Sequence, residues 1–441
     1  MHGTQNRSTW FSGILWIKAL VMHIGRYKVL GRLGRGGMGG VYKVHHDKLD
    51  LVMALKLLQP HELLEHFMGA DQVRAAFERE AQLLASSDHE HLARVWDLDS
   101  HQGHLFMVLE YLCMNLGALI GEGHVLEQPT RTVPWDRALD YVSQTLSGLD
   151  YLHSRGVAHL DIKPGNLMLN SQGQIKIIDL GLSRIAGEHW ETPKGLKIGT
   201  PGYCPPEQEH NPDQADHRAD LYALAVVLHR LVTGYLPETQ AFDTHSWADF
   251  FHKALALDPQ ERFQQASDMR VALEALQAGV DLGGTCLWHE PTCVLRGPLR
   301  STFVRTGVQE HPFSFLDHLS RPKEFRAVAL EPVSDGWLDP CLQLVWGEVS
   351  PWPMTWNNAQ DYIRNLGAQW RLPTVEELAS LLQPNQDPTQ FCQRSFDNRY
   401  LWIWSGDRRS YTSAWFVDIG GAAVLFQDLT CRFYVRPVRG A

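Results

Sequence analysis

The chain has 441 residues, 44% hydrophobic and 20% charged, a balance that describes folded globular units and excludes a disordered polymer. A formal net charge of −10 supplies no electrostatic footprint for nucleic acid, so no nucleic-acid partner is expected. The seven cysteines are scattered, without a C-x-x-C pair. An odd set of this kind argues against a disulfide framework and for a cytoplasmic, reducing setting, and no run approaches the roughly 18 apolar residues of a membrane span.

Residues 1–23 open with an apolar-rich stretch, Trp10 to Val21, flanked by Arg7 alone. It is too short to span a bilayer and is a poor signal peptide, so a loose tail or an upstream-start extension is expected. From Tyr27 to Leu58 the pattern is strand, glycine turn, strand, strand. The turn Gly34-Arg35-Gly36-Gly37-Met38-Gly39 leads into Val41 and Tyr42, which favour strands, and not into a helix. A hairpin covering phosphates fits better than a dinucleotide fold, because Gly34, Gly36 and Gly39 let backbone N–H groups approach phosphate oxygens closely. The next strand, LVMALKLL, carries Ala54 and Lys56; a lysine there is otherwise an edge residue. Gln72 to Ser86 has helical spacing with Glu80 on it, otherwise one exposed acid among Glu78 and Arg79. Leu92–Asp99 and His104–Leu112 read as paired strands, and Trp135–Arg155 as a long amphipathic helix stopped at Gly156. Two charge-bearing turns follow. H-L-D-I-K-P-G-N places Asp161, Lys163 and Asn166 together, and I-I-D-L-G places Asp179 after a β-like run. Transfer from a metal-bound triphosphate to a hydroxyl needs that set: one carboxylate for the hydroxyl proton, an amide and a second carboxylate for the metal, and a lysine for the phosphoryl.

In sequence these motifs resemble the bacterial-type serine/threonine protein kinases, almost motif for motif over Ile24 to Leu276. The resemblance implies a bilobal kinase fold using ATP and Mg²⁺ on protein Ser/Thr hydroxyls. It implies an ATP site at Leu33, Gly34, Gly36, Gly39, Val41, Ala54 and Lys56, with Leu109 guarding the back pocket, Glu110 and Leu112 meeting adenine, and Met168 beneath it. Lys56 with its partner Glu80, Asp161 as base and Lys163 as phosphate contact are the implied catalytic groups, and Asn166 and Asp179 the implied metal ligands. Thr200 and Glu207 correspond to the substrate-side anchor, Asp220 to a clamp on the catalytic turn, and Arg262 to the partner of Glu207. Lys163 with Thr200 points to serine/threonine acceptors. Leu160 replaces the arginine that usually docks an activation-loop phosphate, which implies a kinase independent of that switch. Leu180 and Pro205 are mild departures. Ser183 and Thr192 are candidate autophosphorylation sites, although such residues are more often simply solvated.

Residues 277–330 lack periodicity and read as a connecting segment. Cys286, His289 and Cys293 there lack a fourth ligand and match no standard zinc spacing. From residue 331 to 441 tryptophans concentrate in short strands. The order of elements, with W-R-L-P-T and a terminal V-R-P-V-R, resembles the C-type-lectin-like fold of the formylglycine-generating-enzyme superfamily. That implies a ligand- or partner-binding module, with Thr374 capping a helix that carries Glu376 and Glu377. Trp404, Ser405, Asp407, Tyr411, Ser413 and Trp415 form a candidate recognition face, the alternative being that most of these tryptophans are core. Oxidation of a peptide cysteine through Cys392 and Cys431 is not expected, because the R-G-G-S-W type segment is missing.

The sequence therefore predicts an α+β multidomain chain: a tail (1–23), a bilobal kinase (24–276), a linker (277–330) and a lectin-like binding domain (331–441). Its rivals are a pseudokinase scaffold and a binding protein whose C-terminal domain is the effector. Joint retention of Lys56, Glu80, Asp161, Asn166 and Asp179 argues against the scaffold.

Overall fold

The computed structural model describes residues 22–36, 38–123, 125–181, 183–185, 199–238, 247–279, 299–307, 312–325, 330–382 and 402–441. The first of its units is built on alternation. Strands β1 (His23–Ile24), β2 (Tyr27–Gly36), β3 (Gly39–His46) and β4 (Leu51–Leu58) precede helices α1 (Glu62–Met68) and α2 (Ala70–Ala85). Strands β5 (Val95–His101) and β6 (His104–Glu110) complete an antiparallel sheet of order β1-β2-β3-β4-β6-β5. Gln102 and Gly103 both take positive φ, 51° and 84°, as a two-residue hairpin requires. Val41 pairs with Lys56 and Lys56 with Met107; Lys43 pairs with Ala54 and Ala54 with Leu109. Directly paired residues share a sheet face, so these six side chains line one surface. Helix α2 begins two residues before the predicted start and buries Val73, Ala76, Phe77, Ala81 and Leu84 with Glu80 among them.

The second unit follows the connection Tyr111–Cys113. It contains β7 (Met114–Asn115), α3 (Leu116–Ile120), α4 (Trp135–Ser154), β8 (Val157–Ala158), β9 (Leu167–Leu169), β10 (Ile175–Ile177) and β11 (Arg184–Ile185). Helices α5 (Pro206–His210), α6 (His217–Thr233), α7 (Ala248–Ala254) and α8 (Ala266–Gly279) complete it. Its core packs Tyr141, Leu149 and Leu152 of α4 against Leu224, Val227 and Leu231 of α6.

The third unit has two sheets. One orders β12 (Glu331–Val333), β13 (Gly336–Asp339), β14 (Leu344–Trp346) and β18 (Val438–Gly440); helices α9 (Trp356–Leu366) and α10 (Val375–Ala379) precede the other, β15 (Trp402–Arg408), β16 (Ser413–Asp418) and β17 (Ala423–Asp428). Thr374 caps α10 in a reciprocal capping box with Glu377. The stretch read as a linker contributes to this core: Phe313 and Leu316 pack with Val375, Trp415 and Val417, and Arg300 meets both oxygens of buried Asp407 at 2.8 and 2.9 Å.

Two expectations change here. Trp404, Ser405, Asp407 and Trp415 are buried and not a recognition face; of that set Tyr411 is exposed and Ser413 half-buried. Strand β15 is covered on both faces, so its composition carries no outward-facing side. And two of the scattered cysteines pair: Cys113 and Cys431 form a disulfide across 318 residues, with Cα atoms 5.8 Å apart. Cys286, His289, Cys293, Cys392 and Thr192 lie outside the described residues. Among the described residues no helix is long and apolar enough to cross a membrane.

The third unit packs directly on the other two. Met354, Trp356, Trp402, Trp404 and Phe433 share one continuous apolar cluster with the helices of the second unit. Half-buried Arg137 of α4 donates to buried Asp418 at 3.4 Å, Arg131 donates to the Leu319 carbonyl at 2.9 Å, and Arg321 donates to the Thr132 carbonyl at 3.2 Å.

Trp404→Ala is expected to cost about 3–5 kcal/mol of stability, because the fully buried indole also donates to the Met354 carbonyl at 3.0 Å. Tyr411→Ala is expected to stay within about 0.5 kcal/mol. Urea unfolding of the two variants checks both.

Candidate active site

The glycine hairpin needs glycine most at Gly39. Its φ is +148°, and a Cβ there would stand 2.0 Å from the Leu57 carbonyl oxygen. Gly34 pairs with Val41 and Gly36 with Gly39, so the hairpin is continuous with the strand that carries Val41. Leu33 on this hairpin is exposed. Leu109 is half-buried beside Ala54, and Glu110 ends β6, its carboxylate accepting from the Arg94 N–H at 2.9 Å. Leu112 lies on the connection between units, and Met168 is half-buried on β9, just past the catalytic turn.

Lys56 Nζ donates to both oxygens of Glu80, at 2.8 and 2.9 Å, and to Asp179 Oδ1 at 2.8 Å. Burial alone would depress this lysine, but Asp179 and Glu80 outweigh it and hold it charged, above the ordinary lysine range. The Lys56 ammonium holds Asp179 well below the usual carboxylate range against the pull of burial. Glu80 is pushed up to about 7, burial outweighing its contact with Lys56.

The first charged turn converges on one carboxylate. Asp161 Oδ1 accepts from the Thr200 hydroxyl at 2.8 Å; Oδ2 accepts from the Asn166 amide at 2.9 Å and Lys163 Nζ at 2.7 Å. Lys163 also donates to Thr200 at 2.8 Å. Asn166 spends its amide nitrogen on Asp161, which leaves its carbonyl oxygen as the atom suited to a cation. That oxygen with the Asp179 carboxylate makes a hard, all-oxygen donor pair, which fits a small divalent ion shared with phosphates. Among the described residues no group of three His, Cys, Asp or Glu forms a cation cage by itself.

Two non-glycine residues bracket this site in the left-handed region: Leu160 (φ 63°) and Asp179 (φ 67°). Such backbone costs of order 1–3 kcal/mol and must be held by its surroundings. Asp220, fully buried on α6, accepts from the N–H groups of His159 (2.8 Å) and Leu160 (2.7 Å) and from His153 Nε2 (2.8 Å). Gln208 donates to the Leu160 carbonyl at 2.7 Å. His159 Nδ1 accepts from the Asp161 N–H at 3.2 Å, which leaves Nε2–H to donate to the Ile178 carbonyl at 3.0 Å. His159 thus joins the two charged turns. Further out, Arg262 meets Glu207 in a fork at 2.7 and 2.8 Å. Leu160 itself is buried against Ala158, Ala215 and Ala219, so the position holds an apolar contact. Ser183 is buried and donates to the Leu180 carbonyl, which removes it as an accessible modification site.

Sequence reasoning did not single out His153, His159 and Gln208. H-x-D contains His159, but nothing local reports that its ring spans to Ile178.

Known proteins resemble the chain in two stretches. The Protein kinase domain family matches residues 27–290, and the Lcl C-terminal domain family matches residues 337–439. Serine/threonine-protein kinase pkn3 of Myxococcus xanthus is 33% identical over 257 residues, covering 56% of this chain and 44% of its own. Serine/threonine-protein kinase PknD of Mycobacterium tuberculosis is 28% identical over 306 residues, covering 64% and 43%. The chain therefore spans less than half the length of these two relatives. A crystal structure of the PknI kinase domain of Mycobacterium tuberculosis is 26% identical, covering 58% of this chain and 97% of that one with a TM-score of 0.44.

Asp220→Ala is expected to destabilise the chain by about 2–4 kcal/mol, because it strands two buried N–H groups that hold strained backbone. The sign of the pH dependence follows from the same carboxylate. Burial would raise Asp220, but its donors, His153 first, hold it below its ordinary value of 3.8. Its stabilisation is therefore complete above that value and is lost as pH falls through the lower folded value. Thermal unfolding of wild type and variant between pH 2 and 7 checks both.

Proposed function

The chain belongs to the protein kinase family, matched over 264 of its 441 residues (27–290), and from that premise we propose that it transfers the γ-phosphoryl of ATP to serine or threonine hydroxyls of proteins. ATP and a divalent metal are what the family uses; Mg²⁺ is proposed as the ion, and Asn166 and Asp179 as its ligands. The observation that carries the reading is Lys56, which reaches Glu80 on α2 and Asp179 beside the catalytic turn at once. A lysine so placed brings three separate elements to one point, where an α/β-phosphate would find a fixed cation.

In the proposed mechanism Lys56 binds and orients the nucleotide phosphates, with Glu80 fixing its direction. Asp161 orients the acceptor hydroxyl and takes its proton at the carboxylate; Thr200 and Asn166, one on each oxygen, hold that carboxylate still. Lys163, 2.7 Å from Asp161, steadies the migrating phosphoryl. A divalent cation on Asn166 and Asp179 would neutralise phosphate charge. The rest of the rate enhancement comes from positioning and fixed charge. The buried Leu160 contact supports activity without a loop phosphate docked at that position.

The third unit is proposed as a ligand- or partner-binding module, beginning near residue 300. A cavity of about 300 Å³, lined by Leu299, Phe315, Lys323, Glu376 and Ser380 among others, supports that role.

Asp161→Asn and Lys56→Met are each expected to lower ³²P transfer from Mg-ATP by about 10²- to 10⁴-fold without loss of fold. Autophosphorylation of purified protein, with circular dichroism as the folding control, checks this; full activity in either variant sinks the assignment.

A further inference from the structure

The strand that roofs the proposed nucleotide site is tied to the third unit. Lys43 lies on the same sheet face as Val41, Ala54 and Lys56, and its side chain is 7% exposed. Its ammonium donates to Asp428 and, at 2.5 Å, to the Thr430 hydroxyl, and it stands 5.0 Å from the Tyr111 ring centroid. Two residues further along the connection, Cys113 is bonded to Cys431, while Gln427 donates to the Cys113 carbonyl at 2.7 Å. Residues 427–431 therefore touch the sheet of the first, upper unit and the connection to the second, lower unit together.

This segment is rigidly presented. Asp428 Oδ1 accepts from the Thr430 N–H at 2.9 Å and its hydroxyl at 2.8 Å, and the Leu429 carbonyl accepts from the Trp356 N–H at 3.0 Å. The same unit is anchored on the lower lobe through Arg137–Asp418 and Arg131–Leu319. A body fixed to one lobe and holding the other by a buried charge constrains the angle between them.

We propose that the third unit is a brace across the connection, in which Asp428, Thr430 and Cys431 are positioning residues for ATP. This rests on the kinase reading of the site. With the brace engaged, β3 and β4 stand at the separation from the lower unit that a nucleotide needs. With Asp428 removed, the Lys43 ammonium is left buried beside Tyr111 without its counter-charge, and the upper sheet moves to solvate it. One tie is covalent and reversible. A dithiol can attack Sγ of Cys113, the less buried partner, expelling Cys431 as thiolate. Its second thiol then displaces Cys113, so two thiols form, the dithiol is oxidised to a cyclic disulfide, and two electrons pass to the protein. Reduction thereby loosens the brace.

The test uses the full chain and two readouts: affinity for a fluorescent ATP analogue, and the ATP KM against kcat in autophosphorylation. Asp428→Ala, and wild type reduced with dithiothreitol, are each expected to weaken analogue binding and raise KM about fivefold or more, with kcat at saturating ATP within about twofold. Asp428→Glu is expected to recover most of the loss. Cys113→Ser is expected to match reduced wild type and no longer to respond to dithiothreitol. If wild type binds the analogue while Asp428→Ala and reduced wild type bind it within about twofold of that, the brace is overturned and the kinase reading stands. A fall in kcat with KM unchanged also overturns it. Wild type that binds no analogue overturns the kinase reading and the brace together.

Discussion

One buried ammonium organises the first two units. Lys56 enters from the sheet, Glu80 from α2 and Asp179 from the turn after β10, and none of the three can be so enclosed without the others. Burying these charges is expensive, and such a cluster seldom adds net stability. Its value lies in geometry, because the pairing is satisfied only when the helix sits against the sheet and the second charged turn faces it. A phosphate is the natural competitor for that ammonium. Asp179, whose side chain is 43% exposed although one oxygen is spent on Lys56, keeps its other face open.

The turn that carries Asp161 shows the complementary constraint. Leu160 and Asp179 occupy left-handed backbone that their side chains disfavour. The strain persists because Asp220, Gln208 and His159 claim the polar backbone groups around it, and because Leu160 is packed among alanines. An arginine at 160 could offer a docking point for an anion. Leucine offers only volume, so the same backbone is held here by packing and hydrogen bonds.

What could be read from the sequence divides along physical lines. Turns that carry several charged residues within eight positions, such as Asp161 to Asn166, are specified locally, and their chemistry is legible without a fold. Alternation gave the hairpins, and spacing gave α2 and α4 to within two residues. The third unit was less legible. Strand β15 is buried on both faces, so Trp404 and Ser405 look alike to a rule that expects one face outward, and the donors that satisfy buried Asp407, Arg300 and the Val304 and Val375 N–H groups, are distant in sequence, two of them in the stretch read as a linker. The Cys113–Cys431 bond spans 318 residues, and a count of scattered cysteines cannot anticipate which two meet.

That distant pairing changes how the halves relate. Two independent modules on a string would meet through a modest polar surface. Here the tryptophans of α9 and β15 belong to the same apolar cluster as α4 and α6, and Arg137 of α4 crosses to buried Asp418. At Gly420 a Cβ would stand 2.6 Å from the Arg137 guanidinium carbon, so even the backbone of the third unit is fitted to the second. Contacts of this kind tolerate little sliding, because a small displacement unpairs a buried charge and opens voids beside large rings. The third unit therefore acts on the first two as a fixed wall, and anything that shifts it changes the lobes it touches.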